Sequence, residues 1–127
     1  MAYNENAPLH ERAFPGGQLV DISTASVSYA PIPFSGVMVS AWCCISAALT
    51  TANAVVTVKV IKGGTTTTIG TITVTQSGSA IGDVDEMVIS GSEIDRTVAA
   101  GDTIVFDSNG GSDTTSIANF TGVVRGA

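Results

Sequence analysis

Two runs of β-branched residues, one on each side of a Gly-Gly pair, dominate the hydrophobic pattern of this chain. The first run covers residues 54–62 and the second covers residues 65–75, with Gly63 and Gly64 between them. Alternating β-branched residues predict strands, and two adjacent glycines predict a tight turn that joins them. The chain is therefore expected to contain a β-hairpin near its middle, and the other strands are expected to pack around it.

The register of this hairpin follows from the requirement that its apolar side chains share one face. A two-residue loop would set Ile72 and Val74 on the face opposite the valines of the first run. A loop of residues 63–65, with a glycine in the left-handed conformation, instead places Ile72 across from Val56. It also places Val74 across from Ala54. Because this loop yields one apolar and one polar face, we predict it together with its register.

Further short apolar or alternating runs occur on both sides of the hairpin, and no segment of useful length has a helical period. The runs cover residues 18–22, 25–30, 37–47, 87–90, 103–107 and 116–125. About eight short strands at spacings of about 8 to 12 residues are typical of sandwiches and jelly rolls. We predict an all-β fold, an antiparallel, jelly-roll-like β-sandwich formed by residues 18–127 as a single domain.

The most apolar run, residues 37–47, is expected to form a strand with apolar residues on both faces. One face carries Val37, Val39, Ala41, Cys43 and Ile45, and the other carries Met38, Trp42 and Cys44. Such a strand has the core on one side and a second cover on the other. Trp42 is therefore expected either to pack within the domain on that second face or to lie in a subunit interface.

Residues 1–17 are predicted to form an extended N-terminal arm, because two prolines and a Gly-Gly pair oppose a helix or a central strand. Tyr3, Leu9 and Phe14 would nevertheless gain free energy by burial. The segment is either a frayed terminus or an arm that lies on its own sandwich or on a neighbouring subunit. We predict Tyr3, Leu9, Phe14 and Trp42 as interaction residues.

Composition and charge exclude several classes of partner. The chain has 127 residues, a net charge of −6 and a charged fraction of 13%, about half the usual share. It offers no basic stripe for phosphate, so we expect no nucleic acid partner. No apolar run reaches the length of a membrane span, and residues 1–12 lack the pattern of a secretory signal, so we expect no membrane partner.

The residues that usually carry catalysis or bind metals are scarce. His10 is the only histidine, and it lies in the predicted arm. Cys43 and Cys44 are adjacent, so on a strand they point to opposite faces and are expected to remain reduced and mostly buried. One histidine and two diverging cysteines cannot form a closed zinc site. We therefore predict no catalytic residue, no metal, no cofactor and no enzymatic activity.

Two acidic segments contain the oxygen ligands that calcium prefers, residues 83–86 and residues 107–113. Neither segment has the spacing of a known calcium loop. Asp and Asn in turns also bond their own backbone and keep exposed loops soluble. We interpret both segments as surface turns.

Several segments resemble those of small structural proteins from tailed bacteriophages. They are residues 78–85 (GSAIGDVD), 98–104 (VAAGDTI) and 108–112 (SNGGS), together with the PFSG of residues 33–36 ahead of an apolar strand. The likeness covers roughly residues 27–125 and is a pattern of turns and strands without a catalytic signature. The predicted arm has no counterpart in it.

This resemblance implies a capsid decoration (cement) protein, a jelly-roll subunit on the outside of an icosahedral shell. A protein of this kind is typically a homotrimer that ties neighbouring major capsid proteins together. The resemblance thus implies a location on the exterior of the virion and assembly in the host cytoplasm. A trimer would also account for a second apolar face around Trp42, since closed symmetry repeats one patch.

Three other functions are considered for the same pattern. A receptor-binding or carbohydrate-binding head of a phage fibre should expose aromatic residues in its loops. A calcium-stabilised adhesion module should melt in a metal-dependent way. An enzyme of unfamiliar type should lose its turnover when His10 or Asp83 is replaced. The decoration protein is the function that we predict ahead of these.

Overall fold

The computed structural model describes residues 10–126, and strands make up most of them. In chain order the elements are β1 (His10–Leu19), β2 (Ser26–Pro31), β3 (Gly36–Ile45), β4 (Ala54–Lys62), β5 (Thr65–Val74), β6 (Val84–Glu86), β7 (Val88–Ile89), α1 (Glu93–Arg96), β8 (Thr97–Val98), β9 (Thr103–Ser108) and β10 (Ala118–Gly126). Helix α1 has four residues, and no helix within residues 10–126 has the length and apolar content to cross a membrane.

The strands form two antiparallel sheets that face each other across one core. The front sheet has the order β1-β10-β3-β6, and β8 also pairs with β3. The back sheet has the order β2-β9-β4-β5-β7. Phe106 of the back sheet and Phe120 of the front sheet stack between them, with ring centroids 4.2 Å apart and ring planes 11° apart. The predicted all-β sandwich is confirmed.

The pairing of the strands is that of a jelly roll. Strands pair from the two ends of the chain inward, β1 with β10, β2 with β9, β3 with β8 and β4 with β5. The chain therefore resembles one long hairpin wrapped around the core, with successive pairs alternating between the two sheets until β4 and β5 close it. The β-hairpin predicted near the middle of the chain is β4–β5, and it forms the closed end of this long hairpin.

The predicted register of the central hairpin is confirmed, since Ala54 pairs with Val74 and Val56 pairs with Ile72. The predicted three-residue loop is wrong. Lys62 pairs with Thr65, so the loop consists of two glycines alone, with φ values of 56° at Gly63 and 84° at Gly64. Two positive φ values in a two-residue loop are typical of the type I′ turn of tight hairpins.

A β-bulge in β5 reconciles the short loop with the confirmed register. Lys59 pairs with Thr68 and Val58 pairs with Gly70, which leaves Ile69 as an extra residue. Ile69 and Gly70 are both buried, whereas neighbouring residues of a regular strand point to opposite faces. The bulge returns Ile72 to the core face after the two-residue loop alone would have turned it outward.

A second bulge changes the predicted faces of β3. Val123 pairs with Ser40 and Val124 pairs with Met38, so Val39 is the extra residue. As a result Met38 points into the core, whereas Val37 and Val39 are partly exposed. The rest of the predicted inner face is as expected, with Ala41, Cys43 and Ile45 buried. Cys43 is buried and Cys44 is exposed, so the two thiols point apart but only one of them is in the interior.

The prediction for the N-terminal segment needs a correction for residues 10–17. These residues belong to β1, an edge strand that pairs with β10. An edge strand tolerates Pro15, since one side of the strand needs no N–H donor. The register shifts between Pro15 and Gly17, so Gly16 is the extra residue of a third bulge. The sandwich therefore already includes residue 10, whereas the predicted domain started at residue 18.

Phe14 is part of the core in this arrangement, with only 2% of its surface exposed. Its ring lies over Gly122, where an added Cβ would be 2.4 Å from the Cζ atom of Phe14. The prediction that Phe14 contacts a neighbouring molecule is therefore corrected: the side chain fills a space that only a glycine on β10 leaves open. Tyr3 and Leu9 lie outside the described residues.

Candidate functional site

The outer side of the front sheet carries mostly uncharged side chains and the tryptophan of the chain, and we call it the front face. Its outward side chains are Ala13, Pro15 and Gln18 of β1, Asn119 and Thr121 of β10, Trp42 and Cys44 of β3, and Val84 of β6. None of these side chains is charged, but the exposed Glu86 of β6, the cross-strand neighbour of Trp42, lies on the same face. An exposed sheet face of this composition is typical of a binding surface.

Trp42 lies near the middle of the front face. It pairs with Thr121 on one side and with Glu86 on the other, and 38% of its surface is exposed. Cys44 and Val84, one row nearer the loops, are also exposed. Of the two environments considered for Trp42, burial on a second face within the domain is therefore not found. Trp42 is available for contact with another molecule.

Apolar side chains continue the front face toward the end of the sandwich that carries the long loops. Val20 is 76% exposed, Ile81 is 79% exposed, and Ile117 is also exposed. The loop that contains Ile81 is fixed to β3, because the Gly82 N–H donates to the Ile45 carbonyl at 2.8 Å. Val20 follows the last residue of β1, beside the start of β10. Val20, Ile81 and Ile117 thus place exposed apolar side chains at one end of the front sheet.

A groove of about 550 Å³ runs between β1 and β10 on the front face. Its exposed lining includes Ala13, Pro15, Gln18, Asn119 and Thr121. At its loop end the Gln18 Nε2 atom donates to the Asn119 Oδ1 atom at 3.0 Å. The lining is therefore neutral, with small apolar side chains at one end and a pair of amides at the other. We call this feature the β1–β10 groove.

Charged groups lie at the margin of the front face. The Arg125 Nη2 atom is 2.7 Å from the Glu11 Oε2 atom near the chain termini, and Glu86 accepts a hydrogen bond from the Ser40 hydroxyl at 2.6 Å. The outer side of the back sheet differs, because an ion pair between Lys59 and Asp107, 3.1 Å apart, lies at its centre. Only the front face therefore combines mostly uncharged side chains with an exposed tryptophan.

The acidic segments of the sequence form separate local contacts. Asp83 accepts from the Ala80 N–H at 2.8 Å, Asp107 pairs with Lys59, and Asp113 accepts from the Thr51 hydroxyl at 2.7 Å. Within residues 10–126 no group of three or more His, Cys, Asp or Glu side chains is arranged to hold a metal ion. The backbone of His10 pairs with Gly126, at the other end of the sheet from Asp83.

Asp85 and Cys43 are neighbours across β6 and β3, where Cys43 is buried and Asp85 is partly buried. Burial, together with the charge of Asp83, raises the pKa of Asp85 above its ordinary value. Burial, with smaller effects from Asp85 and Cys44, raises the pKa of the Cys43 thiol to about 12. Cys43 is therefore a neutral thiol near pH 7, the opposite of an activated nucleophile.

Replacing Asp85 with asparagine is expected to stabilise the protein at neutral pH, by about 1 kcal/mol or less because the site is only partly buried. The raised pKa means that the folded state holds the proton more tightly, so stability falls as pH rises from the ordinary value toward the raised one. The gain should thus be present at pH 7 and vanish below about pH 4. Urea denaturation at both pH values measures it. Glu86→Gln, an exposed neighbour, is the control, and an equal gain there would contradict the role of burial.

One of the four predicted interaction residues lies on the front face. Trp42 is on the front face, Phe14 is in the core, and Tyr3 and Leu9 are outside residues 10–126. Sequence reasoning missed the exposed apolar residues Val20, Ile81, Val84 and Ile117. Three of them lie in loops, where hydrophobic periodicity carries no information. Their only signal is the presence of a large apolar residue among Gly, Ser and Asp.

Comparisons with known proteins identify the fold and no family. No protein-family model matches the chain, and no curated protein matches it. Among solved structures, the chain is similar to CsCBM6-3 from Clostridium stercorarium, solved in complex with cellobiose, with a TM-score of 0.51 and 20% identity over 96% of this chain and 82% of that one. It is also similar to the Eiger TNF from S. frugiperda, with a TM-score of 0.53 and 10% identity over 94% of each chain.

A chain of the cyanophage Pam1 capsid asymmetric unit matches less well, with a TM-score of 0.49 and 13% identity over 98% of this chain and 89% of that chain. This similarity is too low to support an argument about function. The two better matches, with identities of 20% and 10%, support the fold alone. The chain is a β-sandwich of the jelly-roll type.

Proposed function

We propose that this protein is a capsid decoration subunit of a tailed bacteriophage, which binds the outer surface of the head and stabilises contacts between major capsid proteins. The observation that carries the proposal is the front face, a largely uncharged sheet surface on which Trp42 is exposed beside Glu86. The resemblance of the turn and strand segments to phage structural proteins supports the same function. We further propose that the subunit is a homotrimer on the exterior of the virion, assembled in the host cytoplasm.

The dimensions of the front face suit a protein partner. Three strands about 30 Å long and the three-residue strand β6, about 10 Å long, lie about 4.8 Å apart and give a projected area of roughly 500 Å². A stable interface buries about 800 Å² of accessible surface on each partner, and the front face would provide part of that surface. Interfaces also concentrate their binding energy in a few central aromatic residues. Trp42 has the position and the exposure of such a residue.

A decoration subunit stabilises a shell by binding the assembled form alone, so its effect follows from its affinity and concentration. The shell therefore gains stability without any covalent chemistry from the added subunit. The exposed Cys44 on the front face is consistent with cytoplasmic assembly, because thiols stay reduced there. A fold that presents one rigid, largely uncharged face meets the requirements of this function.

The test uses heads of the phage that lack this chain, mixed with the purified protein. We expect co-sedimentation with the heads and, by electron microscopy, additional density at symmetric positions on their outer surface. Trp42→Ser should weaken binding by about thirtyfold, the effect of losing a central contact of about 2 kcal/mol. Tyr29→Ser, which removes an exposed aromatic residue from the back sheet, is the matched control.

Two outcomes would contradict the proposal. If the heads bind none of the protein, the decoration function is wrong. If Tyr29→Ser removes binding and Trp42→Ser does not, the back sheet and not the front face makes the contact. Circular dichroism of both variants shows whether the fold is retained.

Carbohydrate binding is the second candidate, and the β1–β10 groove favours it. The groove has two amide side chains, Gln18 and Asn119, and Trp42 lies on the neighbouring strand, so polar groups and an aromatic ring are close together. The long loops contain no aromatic residue, although a binding head was expected to expose aromatics there. Titration calorimetry with a panel of oligosaccharides tests this candidate, with Gln18→Ala and Asn119→Ala expected to abolish any binding observed.

A further inference from the structure

We infer that the β1–β10 groove receives residues 1–9 of a neighbouring copy of this chain. The inference rests on the oligomeric part of the proposed function, and it names the segment and the surface that join the copies. It leaves the other half of the front face, around Trp42 and Val84, free for the shell.

The first argument is the shape and chemistry of the groove. It has a volume of about 550 Å³ and is lined by residues 13–18 of β1 and 119–121 of β10, none of which is charged. Ala13 and Pro15 provide apolar walls at one end, and the amides of Gln18 and Asn119 provide donors and acceptors at the other. A groove of this kind suits an extended peptide with small apolar side chains and amides, and it suits a charged peptide poorly.

The second argument is the composition of residues 1–9, Met-Ala-Tyr-Asn-Glu-Asn-Ala-Pro-Leu. The segment has an apolar side chain at Tyr3 for the walls of the groove, and amides at Asn4 and Asn6 that match those of its loop end. Glu5 is its single charged side chain. Segment and groove are therefore complementary in both the apolar and the amide contacts.

The third argument is where the described chain begins. His10 pairs with Gly126 at the extreme end of the front sheet. The groove of the same copy begins at Ala13, only three residues inside β1, while His10 and Glu11 are fixed by pairing with β10. Residues 1–9 would have to reverse sharply to enter it. Extended, nine residues span up to about 30 Å, enough to reach an adjacent copy.

The consequence is a head-to-tail arrangement of the copies. Each copy contributes one N-terminal segment and offers one groove, which makes the contact heterologous. Such contacts close into a ring when the rotation between copies is a whole fraction of a turn. A ring of three copies would satisfy every segment and every groove, in agreement with the proposed homotrimer.

The experiment uses two full-length chains of different size tags, mixed and cross-linked by a short bis-maleimide. Both carry Cys44→Ser, which removes the exposed thiol, while Cys43 is buried and stays unreactive. One chain carries Tyr3→Cys and the other carries Thr121→Cys. We expect a cross-linked pair of the two tags, about tenfold more abundant than with Thr57→Cys on the back sheet, since docking raises the effective concentration of the thiols.

Each other result overturns the inference. Equal cross-linking to Thr121→Cys and Thr57→Cys would mean random encounter. If one chain that carries both Tyr3→Cys and Thr121→Cys gives only an internally linked monomer, the segment occupies its own groove. The Trp42→Ser measurement on phage heads is independent. Failure of the heads to bind the protein, with intact cross-linking, would contradict the decoration function alone, and binding to the heads without the cross-link would contradict the groove contact alone.

Discussion

Phe14→Ala is expected to lower the free energy of unfolding by about 3 to 5 kcal/mol, the usual cost of truncating a buried phenylalanine. The side chain is 2% exposed and lies over Gly122 within the core that both sheets share. Alanine would leave a cavity under β1, which has only one neighbouring strand to hold it in place. Urea denaturation followed by far-UV circular dichroism measures the loss.

Gln18→Ala is the control for this prediction, because Gln18 is on the same strand and points outward. Its replacement should change stability by less than about 0.5 kcal/mol. Similar small effects of both substitutions would contradict the structure, because they would mean that residues 10–17 form an arm that does not pack on the core. For the same reason, a deletion of residues 1–9 should leave the fold intact, whereas a deletion that extends through Phe14 should destabilise it.

The prediction for this segment failed because its sequence signals have two meanings. Pro15 and the adjacent glycines usually interrupt a strand, and for this reason the sequence predicts an arm. In the structure Pro15 lies on an edge strand, Gly16 is the extra residue of a bulge, and Gly17 has a φ value of 98°. These residues are therefore compatible with an edge strand that a single sequence gives no means to locate.

Three bulges account for most of the differences between prediction and structure. The extra residues are Gly16 in β1, Val39 in β3 and Ile69 in β5. Each bulge shifts the alternation of side chains by one residue, so a prediction from strict period-two alternation assigns the wrong face on one side of it. The class of fold depends on shorter stretches between bulges, which explains why that prediction was confirmed, although residues 10–126 form ten strands where about eight were predicted.

The candidate site was predictable only where it lies on a strand. Trp42 stands out in the sequence because it occupies the second face of an apolar strand. Val20 and Ile81 reach the front face through loops whose positions depend on the pairing of the strands that they connect. The groove depends on the packing of β1 beside β10, residues more than 100 positions apart in the chain. Such proximity follows from topology and leaves no local signal.

The hairpin turn provides the sharpest test of the corrected loop. With two residues in the loop, Gly63 and Gly64 both have positive φ, of 56° and 84°. A non-glycine residue pays about 1 to 2 kcal/mol for this conformation, and recovers about 0.4 to 1 kcal/mol through a less flexible unfolded state. Gly63→Ala and Gly64→Ala should each destabilise the protein by about 1 kcal/mol, and the double variant should do so by about 2 kcal/mol.

Steric clash does not complicate this prediction, because an added Cβ at either glycine meets no atom within 4 Å. The effect of each alanine is therefore conformational. Gly63→Asn is the matched control: asparagine tolerates the left-handed region, and Asn-Gly is a preferred type I′ sequence, so stability should stay within about 0.5 kcal/mol. A three-residue loop requires only one left-handed glycine. If one of the two alanine variants is as stable as the parent in urea denaturation, the two-residue turn is wrong. A bulge at Ile69 would then not be needed to maintain the register of the hairpin.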